Sequence, residues 1–234
     1  MAALVLFASS VVDLRAEPNV LGQTGYVYMP DARIAEEGTL RFGVSKDDPY
    51  FTLWSSVTFL PRLELSARFT KIDGVPGSAT EPEFGDFRDK SFDAKAVLLK
   101  ESRYFPQLSI GAQDFTGTQI SKANFIALSK RIGPIDFTAG YGTDRIDGAF
   151  GGLRYSPSWL KDFSFVLEHD ATHYKKDFRA DLSGADKRKG GATVGARHPR
   201  HLRFSTGGGA LRSDWPTLAR MAFDPTDASP RTET

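Results

Sequence analysis

One short stretch of the sequence carries side chains at a spacing that could bind a metal ion. It contains Glu168, His169 and His173, and histidines four residues apart share a helix face in many zinc sites. However, the stretch falls in a polar segment predicted to be a loop, and no glutamate directly follows His169 as a zinc protease requires. A solvated loop is therefore the favoured interpretation, and the sequence predicts neither a metal nor another cofactor.

A second group of acidic residues could act on sugars. Asp86, Asp89 and Asp93 lie close in sequence, and most glycoside hydrolases cleave the glycosidic bond with a pair of carboxylates. Acidic residues in a segment rich in Gly and Pro are more often simply solvated. The sequence also contains no Ser-His-Asp pattern or nucleophile elbow. We therefore predict no catalytic residues and a protein that is not an enzyme.

The composition narrows the class of protein. Basic residues number 30 against 29 acidic ones, and this balance argues against a nucleic-acid partner. The sequence contains no cysteine, so it offers no disulfides, thiolate metal sites or cysteine nucleophile. Phe is frequent at 18 residues, yet no long apolar run follows residue 12, which favours amphipathic strands over membrane-spanning helices.

Three consecutive segments within residues 39–70 alternate between apolar and polar side chains. In the second of them, Leu53 and Phe59 would face one side while Thr52 faces the other. A period of two over so many residues is typical of β-strands with one apolar and one polar face. Because only residues 60–62 separate the second segment from the third, a tight antiparallel connection is predicted there.

The polar faces of these and later segments supply the candidate binding residues. Each candidate lies opposite an apolar face of its strand, so it would line the polar lumen of a barrel. Hydroxyl, amide and charged groups of this kind can form hydrogen bonds with sugar hydroxyls. The candidates for lumen lining or polysaccharide binding are Glu64, Ser66, Arg68, Asp93, Lys95, Gln113 and Asp136.

The connections between the predicted strands are alternately short and long. The compact links, which contain Pro, are residues 60–62, 101–106, 132–134 and 157–162. The longer polar loops are residues 71–91, 114–122, 142–148 and 169–176. Short turns at one rim and long loops at the other are the plan of an outer-membrane β-barrel. We therefore predict an all-β antiparallel meander of about 10–12 strands closing as a complete or incomplete barrel, with a β-sandwich as the alternative.

Some segments depart from the regular strand pattern. A first strand is predicted at residues 25–29, and the polar connection at residues 32–37 has room for one helical turn. The strand predicted at residues 123–130 alternates poorly. A last strand is predicted near residues 178–182.

The two ends of the chain are predicted to lie outside the barrel domain, which covers residues 17–195. Residues 1–16 begin with an apolar stretch too short to span a bilayer and end in a small residue. They are predicted to be a signal peptide despite the missing basic start, with a buried strand or helix as the alternative. Residues 196–234 form an atypical tail, which is either flexible or the product of a lost reading frame.

Four ordered motifs across residues 20–195 resemble the YjbH-like family. They are GQTGYVYMPDARIAEEGTLRFGVS, YFTLWSSVTFLPRLELSARFT, DKSFDAKAVLLKESRYFPQLSIGAQDFTGT and FIALSKRIGPIDFTAGYG. The resemblance implies an outer-membrane β-barrel associated with exopolysaccharide or capsule production. Many members of that family are far longer, and the tail after residue 196 does not resemble it, so barrel closure is left open.

Together, the strand pattern and the resemblance predict a non-enzymatic protein of the bacterial outer membrane that acts in exopolysaccharide or capsule production or export. Outer-membrane lipid, exopolysaccharide and other polysaccharide export proteins are the expected partners. Two alternatives stay open at this point. One is a general structural or pore-forming outer-membrane barrel, and the other is a periplasmic β-sandwich that binds or cleaves glycan.

Overall fold

The computed structural model describes residues 16–47, 49–78, 85–160, 163–173, 191–197 and 219–222. All regular secondary structure in these ranges is β-strand. Within the same ranges, no helix is long and apolar enough to cross a membrane. The all-β class predicted from the sequence is therefore confirmed.

Eleven strands form one sheet in which each strand pairs with its neighbours in sequence. Every pairing is antiparallel. The strands are β1 Thr39–Asp47, β2 Tyr50–Leu60, β3 Leu63–Pro76, β4 Asp86–Leu99, β5 Gln107–Gly117, β6 Ala123–Ile132, β7 Ile135–Asp144, β8 Gly148–Tyr155, β9 Ser164–Asp170, β10 Gly191–Arg197 and β11 Ala219–Ala222. This order confirms the predicted meander, and a single sheet rules out the β-sandwich alternative.

The alternation in the sequence translates directly into two faces of the sheet. In β2, Thr52 and Ser56 are buried on one face, whereas Phe51, Leu53 and Phe59 are exposed on the other. We call the face with the buried polar residues the inner face and the opposite one the outer face. This arrangement reverses that of a soluble protein, whose apolar residues turn inward.

The connections define two rims. Among the described residues, the turn rim carries 61–62, 100–106, 133–134, 156–160 and 163, and the loop rim carries 49, 77–78, 85, 118–122 and 145–147. At the turn rim Gly133, with φ of 59°, supplies the positive φ that a two-residue hairpin link requires. The predicted short links are confirmed, but the loop predicted at residues 71–91 is too long, because strand pairing continues to Pro76 and resumes at Asp86.

Residues 16–38 form no regular strand or helix, and we call them the N-terminal segment. The strand predicted at residues 25–29 is wrong: Gly25 and Pro30 form only an isolated bridge. The helical turn predicted at residues 32–37 is also absent from the described structure. Both errors have one cause, which is that this segment bonds to side chains of the sheet instead of to a neighbouring strand.

The sheet curls around the N-terminal segment. Arg41 of β1 donates to Thr24 Oγ1 at 2.7 Å, and Glu168 of β9 accepts from the Val27 N–H at 3.1 Å. In a flat sheet, eight strand spacings of about 4.8 Å would separate β1 from β9 by about 38 Å. Three residues of chain span only about 10 Å. The described sheet is therefore a curled half-barrel, which fits an incomplete β-barrel.

An apolar cluster fixes one side of the N-terminal segment to the sheet. Met29 and Ala32 pack there against Phe125, Phe150 and other buried residues. Phe125 and Phe150 meet edge to face with ring centroids 6.4 Å apart. This cluster explains why residues 123–130 alternate poorly in polarity. Their side chains do alternate between buried and exposed, but the buried ones are apolar because they face the cluster.

Aromatic rings on the inner face cover glycines on adjacent strands. The three directly opposed pairs are Gly43 with Trp54, Gly111 with Phe125 and Gly140 with Phe150. A Cβ on Gly111 would lie 2.6 Å from Cε1 of Phe125, so no larger residue fits there without moving the ring. These glycines make room for large rings inside a tightly curved sheet.

Several predictions concern residues outside those that the structure describes. These are the signal peptide except for Ala16, the strand near residues 178–182 and most of the tail. Within the tail, however, Ala219–Ala222 forms β11 and pairs with β10. That part of the tail therefore extends the sheet.

Candidate functional site

All seven candidate residues predicted from the sequence lie on the inner face. Each is 5% exposed or less. They do not line an open channel, because the N-terminal segment or neighbouring residues of the curled sheet fill the space in front of them. We call this curled sheet the wall. The structure places six of them in three clusters, centred on Glu64, Asp136 and Asp93, and the seventh, Gln113, lies apart from these.

Glu64 lies at the centre of the first cluster. Its carboxylate accepts from the Thr24 N–H at 2.7 Å, from the Thr24 hydroxyl and from Arg41 Nη2 at 2.8 Å. Lys95 Nζ lies 3.7 Å from the same carboxylate and donates to the Thr24 carbonyl at 2.6 Å. Arg41, Lys95 and Glu64 of the wall thus all bond to Thr24 of the N-terminal segment.

Asp31 continues this cluster from the N-terminal segment. Its carboxylate lies 3.7 Å from Lys95 Nζ and 3.5 Å from Arg154 Nη1. Arg154 also donates to the Gly25 carbonyl at 2.5 Å and lies over the Tyr26 ring, 5.2 Å from its centroid. Arg154 is 1% exposed, so its charge depends on these partners rather than on water.

Asp136 and Arg33 form the second cluster, near the turn rim. Arg33 donates through Nε at 3.0 Å and through Nη2 at 2.8 Å to the two carboxylate oxygens of Asp136. This is the bidentate geometry in which a guanidinium pairs most strongly with a carboxylate. Arg33 Nη2 also lies 2.6 Å from Glu101, which belongs to the turn rim.

Asp93 organises the third cluster, which lies within the wall. It accepts from Arg68 Nη1 at 2.7 Å, from the Ser66 hydroxyl at 3.2 Å and from the Asp114 N–H at 2.7 Å. Gln113 lies apart from this cluster. Its amide donates to the Gln23 side chain at 3.1 Å.

Glu168 holds the N-terminal segment from the opposite side of the half-barrel. Its carboxylate accepts from three successive backbone N–H groups, those of Val27 at 3.1 Å, Tyr28 at 2.9 Å and Met29 at 3.2 Å. Glu168 points inward while His169 on the same strand is exposed on the outer face, so these two side chains do not share a site. No group of three or more potential metal ligands occurs among the residues placed by the structure.

The three aspartates considered for glycoside hydrolysis do not form a catalytic pair. Asp89 and Asp93 share the inner face of β4, but they are four residue steps apart along the strand, which places their backbones about 13 Å apart. Asp89 accepts from the Ser91 hydroxyl at 2.6 Å, and Asp86 lies 2.7 Å from Lys71 Nζ. Each carboxylate therefore has its own structural partner.

Sequence reasoning missed the part that five charged residues play in these inner-face contacts. They are Asp31, Arg33, Arg41, Arg154 and Glu168. The last three occupy inward positions of strands, so the same period-two pattern could have found them. Asp31 and Arg33 carry no comparable signal, because the N-terminal segment has no periodic structure.

A cleft of about 1160 Å³ opens at the turn rim beside the N-terminal segment. Arg33, Glu101, Gln107 and Arg131 are among its lining residues. Partial burial by itself would raise the pKa of the Glu101 carboxyl, but hydrogen bonds from the Arg131 N–H, Arg33 and Lys130 outweigh it. The pKa of Glu101 is consequently lowered below its ordinary value of 4.5.

Glu168→Gln should loosen the N-terminal segment. The amide NH₂ would face backbone N–H groups that now donate to a charged acceptor, and hydrogen bonds to charged groups contribute about 1.5–3 kcal/mol. We expect unfolding at lower urea concentration and faster amide exchange at residues 27–29, measured by mass spectrometry. The exposed Glu37→Gln is the matched control. Unchanged exchange at residues 27–29 in Glu168→Gln would contradict this role.

Glu101 should make the stability of the turn rim depend on acid pH. Its folded pKa lies below the unfolded value, so its stabilising contribution is complete above about 4.5 and is lost as the pH falls through the folded pKa. We expect the melting temperature of the native chain to fall more steeply below pH 4.5 than that of Glu101→Gln. If the melting temperatures of the two proteins change by the same amount between pH 7 and pH 3, Glu101 is not the titrating group.

Comparison with known proteins identifies relatives of this chain. A family model described as "Exopolysaccharide biosynthesis protein YbjH" matches residues 18–149. An Escherichia coli K12 protein, named "Uncharacterized lipoprotein YjbH", is 31% identical over 212 residues, which cover 73% of this chain and 30% of the relative. The chain thus spans about 30% of the length of that relative.

No solved structure matches the chain. The family match nevertheless covers more than half of the sequence. It includes the N-terminal segment from residue 18 onward and the strands that carry Glu64, Asp93 and Asp136. The chain therefore belongs to the YjbH family of exopolysaccharide biosynthesis proteins.

Proposed function

We propose that this chain forms part of the wall of an outer-membrane β-barrel and acts, without catalysing a reaction, in the production or export of exopolysaccharide. The observation that carries the proposal is the reversed polarity of the sheet. Large apolar side chains are exposed on the outer face, while charged ones are buried on the inner face. Family membership supplies the connection with exopolysaccharide.

The outer face suits contact with lipid rather than water. Its exposed side chains come from successive strands and include Leu53 of β2, Phe92 of β4, Ile126 of β6, Phe137 of β7 and Leu167 of β9. An apolar surface that extends over so many strands would drive association in water. In a bilayer the same surface is solvated by acyl chains, as on the lipid face of outer-membrane barrels.

Strand lengths and aromatic positions are consistent with a membrane crossing. Strands β1 to β8 contain 8 to 14 residues, and a tilted strand needs about 9–11 to cross the hydrocarbon layer. Tyr104, Phe105 and Trp159 are exposed at the turn rim. Aromatic residues at the end of the apolar band are typical of the membrane interface.

The filled interior supports a role at the rims rather than free diffusion through a wide pore. The N-terminal segment contacts the inner face from β1 to β9, and its buried charges Asp31 and Arg33 pair with Lys95, Arg154 and Asp136 of the sheet. The inner carboxylates at positions 64, 93 and 136 each accept from an arginine, which favours a structural role over a catalytic one. Polysaccharide would then contact the turn-rim cleft and the loop rim.

Fractionation of bacteria that express the chain tests this proposal. We expect recovery in the outer membrane and a band that migrates differently on a gel when the sample is not boiled, as folded barrels do. We also expect less surface polysaccharide when the gene is deleted. A soluble periplasmic protein would contradict the membrane role. A deletion strain with normal polysaccharide would instead leave only the general structural barrel.

A further inference from the structure

Exposed cations lie beside exposed apolar or aromatic side chains at the turn rim. The pairs are Arg62 with Leu60, Lys100 with Leu99, and Arg103 with Tyr104. We call Arg62, Lys100 and Arg103 the rim cations. Such pairs are typical of the boundary between hydrocarbon and headgroups, where the apolar part contacts acyl chains and the charge reaches the polar layer.

Hydrogen bonds tie the connections of this rim to one another. Arg62 Nη1 donates at 3.2 Å to the β4 carbonyl that lies two residues before Lys100. Lys130, near the end of β6, donates through Nζ to the carbonyls of Ser102 at 2.5 Å and Arg103 at 3.1 Å. The rim cations therefore belong to one connected surface rather than to separate turns.

The acids at this rim leave the rim cations uncompensated. Glu101 is already paired, with Arg33 Nη2 at 2.6 Å and with Lys130 Nζ at 3.2 Å. The other two acids that line the turn-rim cleft, Glu36 and Glu37, belong to the N-terminal segment. Within the described part of the chain, none of these three acids forms an ion pair with a rim cation. The rim thus keeps a positive charge that an anionic partner can neutralise.

Acids and cations are matched more closely at the loop rim. Lys71 Nζ lies 2.8 Å from Asp73 and 2.7 Å from Asp86, so two carboxylates share this one ammonium group. A negatively charged membrane surface is therefore attracted more strongly to the turn rim than to this part of the loop rim.

The aromatic and apolar side chains of the turn rim favour a lipid over other anions. Tyr104 is 79% exposed and Phe105 is 69% exposed, and the Arg103 guanidinium lies 5.6 Å from the centroid of the Tyr104 ring. Ile132, which is 64% exposed, ends β6 at the same rim. A phospholipid offers acyl chains to these side chains and a phosphate to the rim cations, whereas an acidic polysaccharide has no acyl chain.

We infer that the turn rim binds the phosphate of an anionic glycerophospholipid through the rim cations, with the rings of Tyr104 and Phe105 beside the upper part of its acyl chains. The inference rests on the proposed function and deepens it. It names the class of lipid that the wall selects and the rim at which the wall selects it.

Electron spin resonance of the full chain in phosphatidylcholine vesicles tests the inference. The probes are trace amounts of spin-labelled phosphatidylglycerol and spin-labelled phosphatidylcholine, and the fraction of each that the protein immobilises gives their relative association constant. Each Lys or Arg near an anionic surface contributes about fivefold in affinity, so we expect phosphatidylglycerol to be preferred at least about tenfold. Raising NaCl from about 0.01 M to about 1 M should remove most of this preference, because it shortens the screening length from about 30 Å to about 3 Å.

Three double variants locate the preference. Lys100→Gln with Arg103→Gln should reduce it at least about fivefold. Lys100→Arg with Arg103→Lys conserves both charges and should retain it. The matched control is Arg88→Gln with Lys122→Gln, which removes two exposed cations near the loop rim and should leave the preference unchanged. Each variant is first shown to keep the heat-dependent gel shift of the native chain.

A competition experiment separates lipid from acidic polysaccharide. Lys100 and Arg103 also border the turn-rim cleft, so a soluble polyanion could meet the same charges there. Polygalacturonate added to the vesicles at the low salt concentration should leave the immobilised fraction of phosphatidylglycerol unchanged, because it offers no acyl chains to Tyr104 and Phe105. Displacement of the lipid by polygalacturonate would assign these cations to polysaccharide instead.

Other results would also overturn the inference. They are equal association of the two lipids with the native chain, a preference that the Gln variant at the turn rim retains, and an equal loss of preference in the control near the loop rim. A chain that enters the outer membrane and supports surface polysaccharide, yet shows one of these results, refutes the lipid site alone. A chain that does not insert into vesicles contradicts the proposed membrane location itself.

Discussion

The structure depends on pairing buried charges across the gap between a curled sheet and the segment inside it. Glu64, Asp136 and Glu168 face inward, where their charges would be very costly without partners. The N-terminal segment supplies backbone N–H groups to Glu64 and Glu168 and a guanidinium to Asp136. Such pairs add little net stability compared with apolar packing, but losing one partner is expensive. Their main effect is therefore to fix where the segment lies.

This constraint also explains the apolar outer face. Once the inner face is committed to ionic and polar contacts, the apolar half of every strand can turn only outward. Apolar burial inside is confined to small clusters such as the one around Phe125 and Met29. In the proposed membrane location, the surrounding lipid would provide the favourable environment for the outer residues that a core provides in a soluble protein. The polarity of both faces thus follows from one arrangement, on which the proposed membrane location and the proposed contact with polysaccharide also rest.

The sequence could predict the wall but not its contents. A period of two assigned Glu64, Lys95 and Asp136 to the inner face, because strand geometry alone decides which side a residue takes. It could not place the N-terminal segment, whose partners are remote: Arg33 bonds a residue 103 positions away, and the Val27 N–H one 141 positions away. Pairings at that distance depend on the curl of the whole sheet.

Labelling of adjacent residues in β2 tests the two-faced wall most directly. The chain has no cysteine, so Thr52→Cys and Leu53→Cys each introduce a unique thiol on opposite faces. In proteoliposomes, the Leu53→Cys thiol should react with a lipid-soluble maleimide dye that brominated lipids then quench. The Thr52→Cys thiol should stay unreactive until urea unfolds the chain. Rapid reaction of the Leu53→Cys thiol with a water-soluble maleimide, or of the folded Thr52→Cys thiol with either reagent, would contradict the account.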